Sequence, residues 1–198
     1  MPFNSFSEFA EDWWVCSNLP LPAKGFFLDI GCADPIVNST TAFLREAGWD
    51  GIGVDGNPNY VHRWNEVKGR FISAVLATRD GSAGFALNPE NPSLSHLDDA
   101  APGTRCRTIE NLLCERFQIG KIDFLAIDVE GAEYDILSML DYDKHEPTII
   151  VAEYSTMQTD GSVKEDFRLR DFLESKGYKT MHQTKANLIY FNPDFAAK

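Results

Sequence analysis

The sequence predicts an α/β fold built on a mostly parallel sheet. Two observations carry this. Short apolar runs that end in a polar residue, such as Gly25-Phe-Phe-Leu-Asp-Ile30 and Gly51-Ile-Gly-Val-Asp55, alternate with amphipathic stretches of helical period. That alternation is the mark of βαβ units, whose strands run parallel. Ligands of such sheets bind outside the carboxyl ends of the strands, so the residues that end each apolar run are the candidates for chemistry.

The elements follow in order. Residues 5–17 have a helical pattern, with Phe6, Phe9, Trp13 and Val15 or Cys16 on one side, closed by Pro20 and Pro22. Residues 1–22 are therefore expected as an N-terminal helical segment ahead of a domain spanning 23–198. Residues 25–30 are a buried strand. Ser39 or Thr40 caps a helix over 39–47, which Gly48 stops. Residues 51–55 form a second strand, 59–67 a second helix and 71–77 a third strand. Arg79-Asp80-Gly81-Ser82 is a turn signal, with an extra strand at 83–87. Residues 88–103 hold Pro89, Pro92, Pro102 and Gly103 and few large apolar side chains, which predicts a long irregular loop of the kind found in lids and binding loops. Thr108 caps a helix with Ile109, Leu112, Leu113 and Phe117 on one face. Residues 122–127 are the next strand, and 132–140 a helix with Ala132, Ile136, Met139 and Leu140 inward. Residues 148–152 are the most β-branched strand. Ser162 and Glu165 make a capping-box pattern before a helix with Leu169, Phe172 and Leu173 on its buried face. Residues 178–181 and 188–191 read as a closing hairpin.

The 198 residues suit one domain, or a large one with a short appendage. A net charge of −12 with no basic run makes nucleic acid a poor partner. No apolar run approaches the roughly 20 residues of a membrane span. The first 18 residues carry Glu8, Glu11 and Asp12 without a basic start, unlike a signal peptide, so a cytoplasmic location away from membranes is expected. Cys16, Cys32, Cys106 and Cys114 form no C-x-x-C pair, which argues against zinc, and they read as reduced core thiols. His62 and His145 read as surface residues. His96, in the loop, can reach the site, and His182 is a weaker candidate base.

The first strand ends in Leu28-Asp29-Ile30-Gly31-Cys32-Ala33-Asp34-Pro35. Gly31 lets backbone approach a ligand closely. Asp29 can accept a hydrogen bond from an ammonium group, and Asp55, ending the second strand, can accept from ribose hydroxyls. A dinucleotide site needs G-x-G-x-x-G around its pyrophosphate. Here positions 33–36 are Ala, Asp, Pro and Ile, and Asp34 would repel phosphate. The turn suits an adenosine without phosphates that carries a cation, which describes S-adenosylmethionine. Ala33, Asp34, Ser39, Gly56, Asn57, Ala74, Val75 and Asp128 complete the expected cofactor contacts.

Asp128-Val-Glu130-Gly-Ala-Glu133 puts three carboxylates at the end of the strand at 122–127, and Glu153 adds a fourth at the end of the next. Acids in a first helical turn complement the helix dipole, a sufficient reason for Glu130 and Glu133. Asp128 still belongs to the strand end. Four acids at adjacent strand ends suit a cation, a hydroxyl-bearing substrate or a divalent metal. Asp128, Glu130 and Glu153 are the expected catalytic residues, and the ligands if a metal binds; the sequence leaves the metal open. Tyr154 and Ser155 are candidates to line the acceptor pocket. An NAD-type Rossmann oxidoreductase and a non-catalytic nucleotide-binding module stand as alternatives. The missing glycines argue against the first and the acid cluster against the second.

Ile127-Asp-Val-Glu-Gly-Ala-Glu133 followed by Ile136-Leu137 resembles the hallmark of FkbM-type methyltransferases, a class I, S-adenosylmethionine-dependent family. Leu28-Asp-Ile-Gly-Cys-Ala33, Gly48-Trp-Asp-Gly-Ile-Gly-Val-Asp55 with Asn57-Pro58, Ala77-Thr-Arg-Asp-Gly81 and Arg107-Thr-Ile-Glu110 resemble its other motifs, in order, from about Gly25 to Tyr154. The resemblance implies a Rossmann-like, doubly wound, mostly parallel seven-stranded sheet with an antiparallel last strand and helices on both faces. It implies methyl transfer to a hydroxyl of a sugar or other small metabolite. Two departures stand out. Asp55-Gly56 replaces the family's usual Glu-Pro, a mild change. Pro35-Ile36 lies where a second glycine is common, which bears on the shape of the methionine-binding loop. The short chain leaves little room for an acceptor domain, so the pocket is expected to be open, or completed by the 88–103 loop or a second subunit of a homodimer.

Overall fold

The computed structural model describes residues 5–88, 95–98, 100–116, 119–157 and 161–196. In chain order the elements are α1 (Glu11–Asn18), β1 (Phe26–Ile30), α2 (Ala42–Glu46), β2 (Asp50–Asp55), a 3-10 turn (Pro58–Tyr60) leading into α3 (Val61–Trp64), β3 (Arg70–Ser73), β4 (Val75–Leu76), β5 (Gly81–Ala86), β6 (His96–Leu97), β7 (Gly103–Arg107) and α4 (Ile109–Arg116). There follow β8 (Phe124–Ile127), α5 (Glu133–Leu137), α6 (Tyr142–His145), β9 (Ile149–Glu153), β10 (Ser155–Met157), β11 (Val163–Glu165), α7 (Arg168–Ser175), β12 (Lys179–Gln183), β13 (Asn187–Phe191) and α8 (Pro193–Ala196).

The main sheet has seven strands in the order β12-β13-β9-β8-β1-β2-β3. The five from β9 to β3 are mutually parallel, and β13 runs antiparallel to both β9 and β12. The chain winds from β1 outward to β3, then returns to β8 on the other side of β1. A crevice opens at such a reversal, outside the carboxyl ends of the strands. Register fixes what stands there. Ile30 pairs with Val54 on one side and Ile127 on the other, and Ile127 pairs with Ala152. Gly31, Asp55, Asp128 and Glu153 therefore emerge at one level along one edge.

Alternation along each strand divides the core into two layers. Leu28, Ile30, Leu125, Ile127 and Ile150 pack against Ile109, Leu112 and Leu113 of α4, Ile136 and Leu137 of α5, and Leu169 and Leu173 of α7. Phe27, Phe124, Ala126 and Val151 pack against Val15 of α1, Phe43 and Leu44 of α2, and Trp64 of α3. Helices thus cover both faces, as buried parallel strands require. Truncating a buried aromatic such as Trp64, 1% exposed, to alanine costs about 3–5 kcal/mol.

Several expectations are revised. The first helix begins at Glu11, and it buries Val15 while Trp13 and Cys16 face solvent. Its acids are fastened: Glu11 accepts from the Asn187 amide at 2.8 Å and the Thr184 hydroxyl at 3.1 Å, which ties α1 to the turn between β12 and β13. The expected third strand divides: β3 stays in the main sheet, and β4 leaves for a second sheet of order β4-β7-β5-β6. Three residues of the expected 88–103 loop belong to that sheet: Leu97 pairs with Phe85, His96 with Ala86, and Gly103 opens β7. Residues 89–94 and 99 of that stretch, and Phe117, lie outside the described residues. The Ser162–Glu165 capping pattern is instead β11, paired antiparallel with β10. Met139 is exposed and not inward, and His145 is wholly buried and not on the surface. Among the described residues no helix is long and apolar enough to cross a membrane.

Candidate active site

The crevice beside β1 is a cleft of about 530 Å³, measured with its open mouth, whose walls include Gly31, Asp55, Gly56, Ala74, Val75 and Asp128. Gly31 makes the cleft geometrically possible. Its φ is +74°, and a Cβ there would sit 1.6 Å from the Asp128 carbonyl oxygen. Only glycine tolerates both the left-handed backbone and the close approach. Gly56 has a related reason: a Cβ would lie 2.5 Å from the ring of Phe85, which closes the wall from the second sheet.

Asp55 crosses the crevice floor. Its Oδ1 accepts from the Asn57 amide at 2.7 Å and its Oδ2 from the Ala33 amide at 2.9 Å, which ties the end of β2 to the turn after β1. Burial pushes its carboxyl above the usual range, and the two amides oppose that rise. Each oxygen keeps lone-pair capacity for a further donor.

The remaining candidates stand behind this wall. Asp29 is buried and its Oδ2 accepts from the Thr41 hydroxyl at 2.5 Å. Arg45 donates to Thr41 at 2.8 Å, to Ser39 at 3.0 Å and to the Pro35 carbonyl. Its guanidinium lies 4.8 Å over the Trp64 ring and 5.5 Å over that of Phe27. Asp29 and Ser39 thus belong to a buried strut that fixes the turn. Burial raises the Asp29 carboxyl to about 6, against the pull of Thr41 and Arg45. Asp34 pairs with Arg63 at 2.8 Å and accepts from the amides of Ile36 and Val37, so it caps its own loop. Asn57 is buried and accepts from the Asn59 amide at 3.0 Å.

At the other end of the cleft the acids divide by role. Carboxylate oxygens of Asp128, Glu133 and Glu153 lie within 4.8 Å of one another. Glu133 is fastened, since its Oε1 accepts from the Val129 amide at 2.9 Å and the Gly131 amide at 3.2 Å. Those bonds hold a sharp loop with φ +58° at Glu130 and +104° at Gly131, and that loop sets Glu130 apart from the trio of close oxygens. Carboxylate oxygens of Asp128 and Glu153 both belong to that close trio. Two carboxyl groups placed side by side favour a state with one proton between them. Asp128 opens onto the cleft, yet protein walls it closely enough that loss of solvent is the main force raising its carboxyl, followed by the charges of Glu130 and Glu133. Glu153 is driven up by burial and then by the charge of Asp128. The pair thus retains a proton at a pH where isolated carboxylates have none.

The Methyltransferase FkbM domain model matches residues 29–180, from the end of β1 into β12. The chain belongs to the FkbM methyltransferase family. This selects methyltransferase over the oxidoreductase and binding-module alternatives. No curated protein matches the chain. In this FkbM domain the cleft is also lined by Phe85, His96 and Leu97 from the second sheet and by Ser95 just before β6. Of these only His96 is anticipated by sequence, because the small sheet that brings them to the cleft is not legible. Tyr154 is buried and stacked on Phe167, with its hydroxyl accepting from Gln183, and His182 stacks on Trp14. Both are occupied in packing.

Proposed function

We propose that this methyltransferase draws its methyl group from S-adenosylmethionine, in a Rossmann-like class I domain, and delivers it to a hydroxyl of a small metabolite or sugar. The observation that carries the reading is a single cleft with a carboxylate suited to sugar hydroxyls, Asp55, at one end and Asp128, with Glu153 close beside it, at the other. Gly31, the residue whose missing Cβ leaves the room, lies between them. When bound, S-adenosylmethionine supplies a methyl carbon already activated by its sulfonium.

The chain's residues do the rest. Asp55 accepts the ribose hydroxyls with the lone pairs that the Ala33 and Asn57 amides leave free. Gly56, Ala74 and Val75 give the adenosine a small-residue wall. Asp128 holds the acceptor hydroxyl in line with the methyl carbon, the alignment that supplies much of such a rate. It then takes the hydroxyl proton, and a carboxyl with raised proton affinity is suited to that task near neutral pH. Glu153 keeps the first proton, so the pair carries one negative charge that also favours a cationic sulfonium. The close trio of oxygens favours one variant: a divalent ion held by Asp128, Glu133 and Glu153, with Glu130 outside the set, would supply hydroxyl acidification in place of the base.

Thermal shift with S-adenosylmethionine, its demethylated product and NAD tests the cofactor. Stabilisation by the first two alone is expected, by about 2.7 kcal/mol at 100 times the dissociation constant. Stabilisation by NAD alone overturns the reading. Chelation then decides the variant: turnover lost and restored by magnesium means an ion, and unchanged turnover means direct carboxylate contact.

A further inference from the structure

We infer that a second site, at the opposite end of the sheet from the cleft, binds a zinc-class metal ion through Glu110, Cys114 and His145. Glu110 and Cys114 stand four residues apart on α4, one above the other on the same helix face. His145 ends α6, just before β9, and its backbone pairs with Ile122 ahead of β8. The site therefore lies by the amino ends of β8 and β9, away from Asp128 and Glu153 at their carboxyl ends. The glutamate and thiol Cys114 are partly exposed, while the imidazole is wholly buried. Its donors are one nitrogen, one sulfur and one oxygen, all within 4.8 Å of one another.

The imidazole is the independent pointer to a cation. His145 Nδ1 lies 2.9 Å from the Gly120 carbonyl. A carbonyl only accepts, so Nδ1 carries the hydrogen, and in the neutral ring Nε2 is a bare lone pair. That lone pair faces two more acceptors, Glu110 Oε1 at 3.2 Å and Oε2 at 3.4 Å. Acceptor facing acceptor is stable only with positive charge between them, either a second proton on the ring or a metal ion. A backbone carbonyl that fixes the tautomer of a histidine and turns its other nitrogen outward is the usual support of a metal ligand.

Spacing and donor type favour the metal. Bonds of about 2.0–2.3 Å in a tetrahedron set donors about 3.3–3.8 Å apart. The Cys114 sulfur lies 3.3 Å from Glu110 Oε2, close to that edge. Thiolate and imidazole select zinc-class ions over magnesium or calcium. The Lys144 ammonium lies against the sulfur. Its side chain is 44% exposed, so it can swing aside as an ion enters, leaving the fourth position to water. Cysteine spacing alone hides this site, because its ligands are one cysteine and two residues of other kinds brought together by folding. An ion there would clip α4 to α6, beneath β8 and β9.

The test is cobalt titration of the full chain after chelator treatment. A thiolate-to-cobalt charge-transfer band with tetrahedral visible bands, saturating at one equivalent and displaced by zinc, is expected. Cys114→Ser should abolish the band and weaken zinc binding by on the order of 100-fold, with the melting temperature of the metal-free protein unchanged. Cys16→Ser, at the exposed cysteine of α1, should leave both intact. Any ion on the cleft carboxylates gives no thiolate band, so the outcome is independent of the proposed reaction. Absence of the band, or a band that survives Cys114→Ser, overturns the site and leaves His145 as a protonated partner of Glu110.

Discussion

Replacing Glu153 by glutamine should stabilise the protein and at the same time impair turnover. In the unfolded chain Glu153 ionises near its ordinary 4.5, whereas in the fold it stays protonated well above that. Folding at neutral pH must therefore take up a proton. Stability that is present below about 4.5 is lost as pH rises toward the folded value, at about 1.4 kcal/mol per pH unit. At pH 7 the interval is about two and a half units, which sets an upper figure of about 3 kcal/mol. Glutamine keeps the shape, offers Asp128 an amide donor and needs no proton. Urea denaturation of the two proteins should give equal stabilities near pH 4.5 and a gap that opens toward 3 kcal/mol by pH 7, about 6–12 °C in Tm for a domain of this size. Turnover should fall by on the order of 100-fold, because the glutamine amide cannot exchange a proton with Asp128. A stability gap that is flat with pH, or that closes as pH rises, would refute the shared proton.

Three further variants probe the rest of the cleft. Asp55→Ala should weaken cofactor binding by about 1.5–3 kcal/mol in titration calorimetry, and should also lower Tm, because the amides of Ala33 and Asn57 lose their acceptor; unchanged affinity moves the ribose contact elsewhere. Gly31→Ala should destabilise by several kcal/mol, since its Cβ collides with the Asp128 carbonyl at a positive φ; a wild-type melting curve would contradict that packing. Asp128→Asn should abolish turnover and weaken binding of the cationic cofactor, with Tm no lower than that of the wild type because it too removes a carboxyl that folding drives up, while Glu130→Gln, outside the close trio, should only shift the acidic limb of the pH–rate profile downward by removing a charge that raises Asp128; equal losses in both would return Glu130 to a catalytic role.

The sequence is readable where burial alone dictates structure. β1, β8 and β9 are buried at nearly every position, so their apolar runs announce them, and the acids ending them mark the working edge. Where an element is held by partners far along the chain, the signal fades. β7 has one buried position in five, with arginines at two of the others, and it is a strand because β4 and β5 flank it, which no local pattern records. α6 is four residues long, too short to show a helical period, so the burial of His145 leaves no trace in the sequence. Asp29 is different, because its placement follows from period two. Leu28 and Ile30 face the layer of α4 and α5, so Asp29 between them must face the opposite layer, where Thr41 and Arg45 meet it. Strand alternation alone therefore turns it toward that layer and away from the crevice.

What separates the acids suited to hold a proton from those that brace a turn is the kind of partner each has. Asp34, Asp55 and Glu133 each accept from two backbone amides, whose fixed dipoles offset at least part of the cost of burying their charge, and their loss loosens a turn. Asp128 and Glu153 have each other, an arrangement that folding opposes above pH 4.5 and that only a reaction needing a proton acceptor, or an ion, would retain. Residues kept against the stability of the fold are the ones expected at a site of chemistry. The same distinction explains why four acids at adjacent strand ends look equivalent in sequence. Carboxylates differ little by residue type. They differ by whether the backbone turns an amide toward them, and at this edge the left-handed step at Glu130 and Gly131 does so: it presents the Val129 and Gly131 amides to Glu133 and leaves Asp128 with Glu153 as its near neighbour.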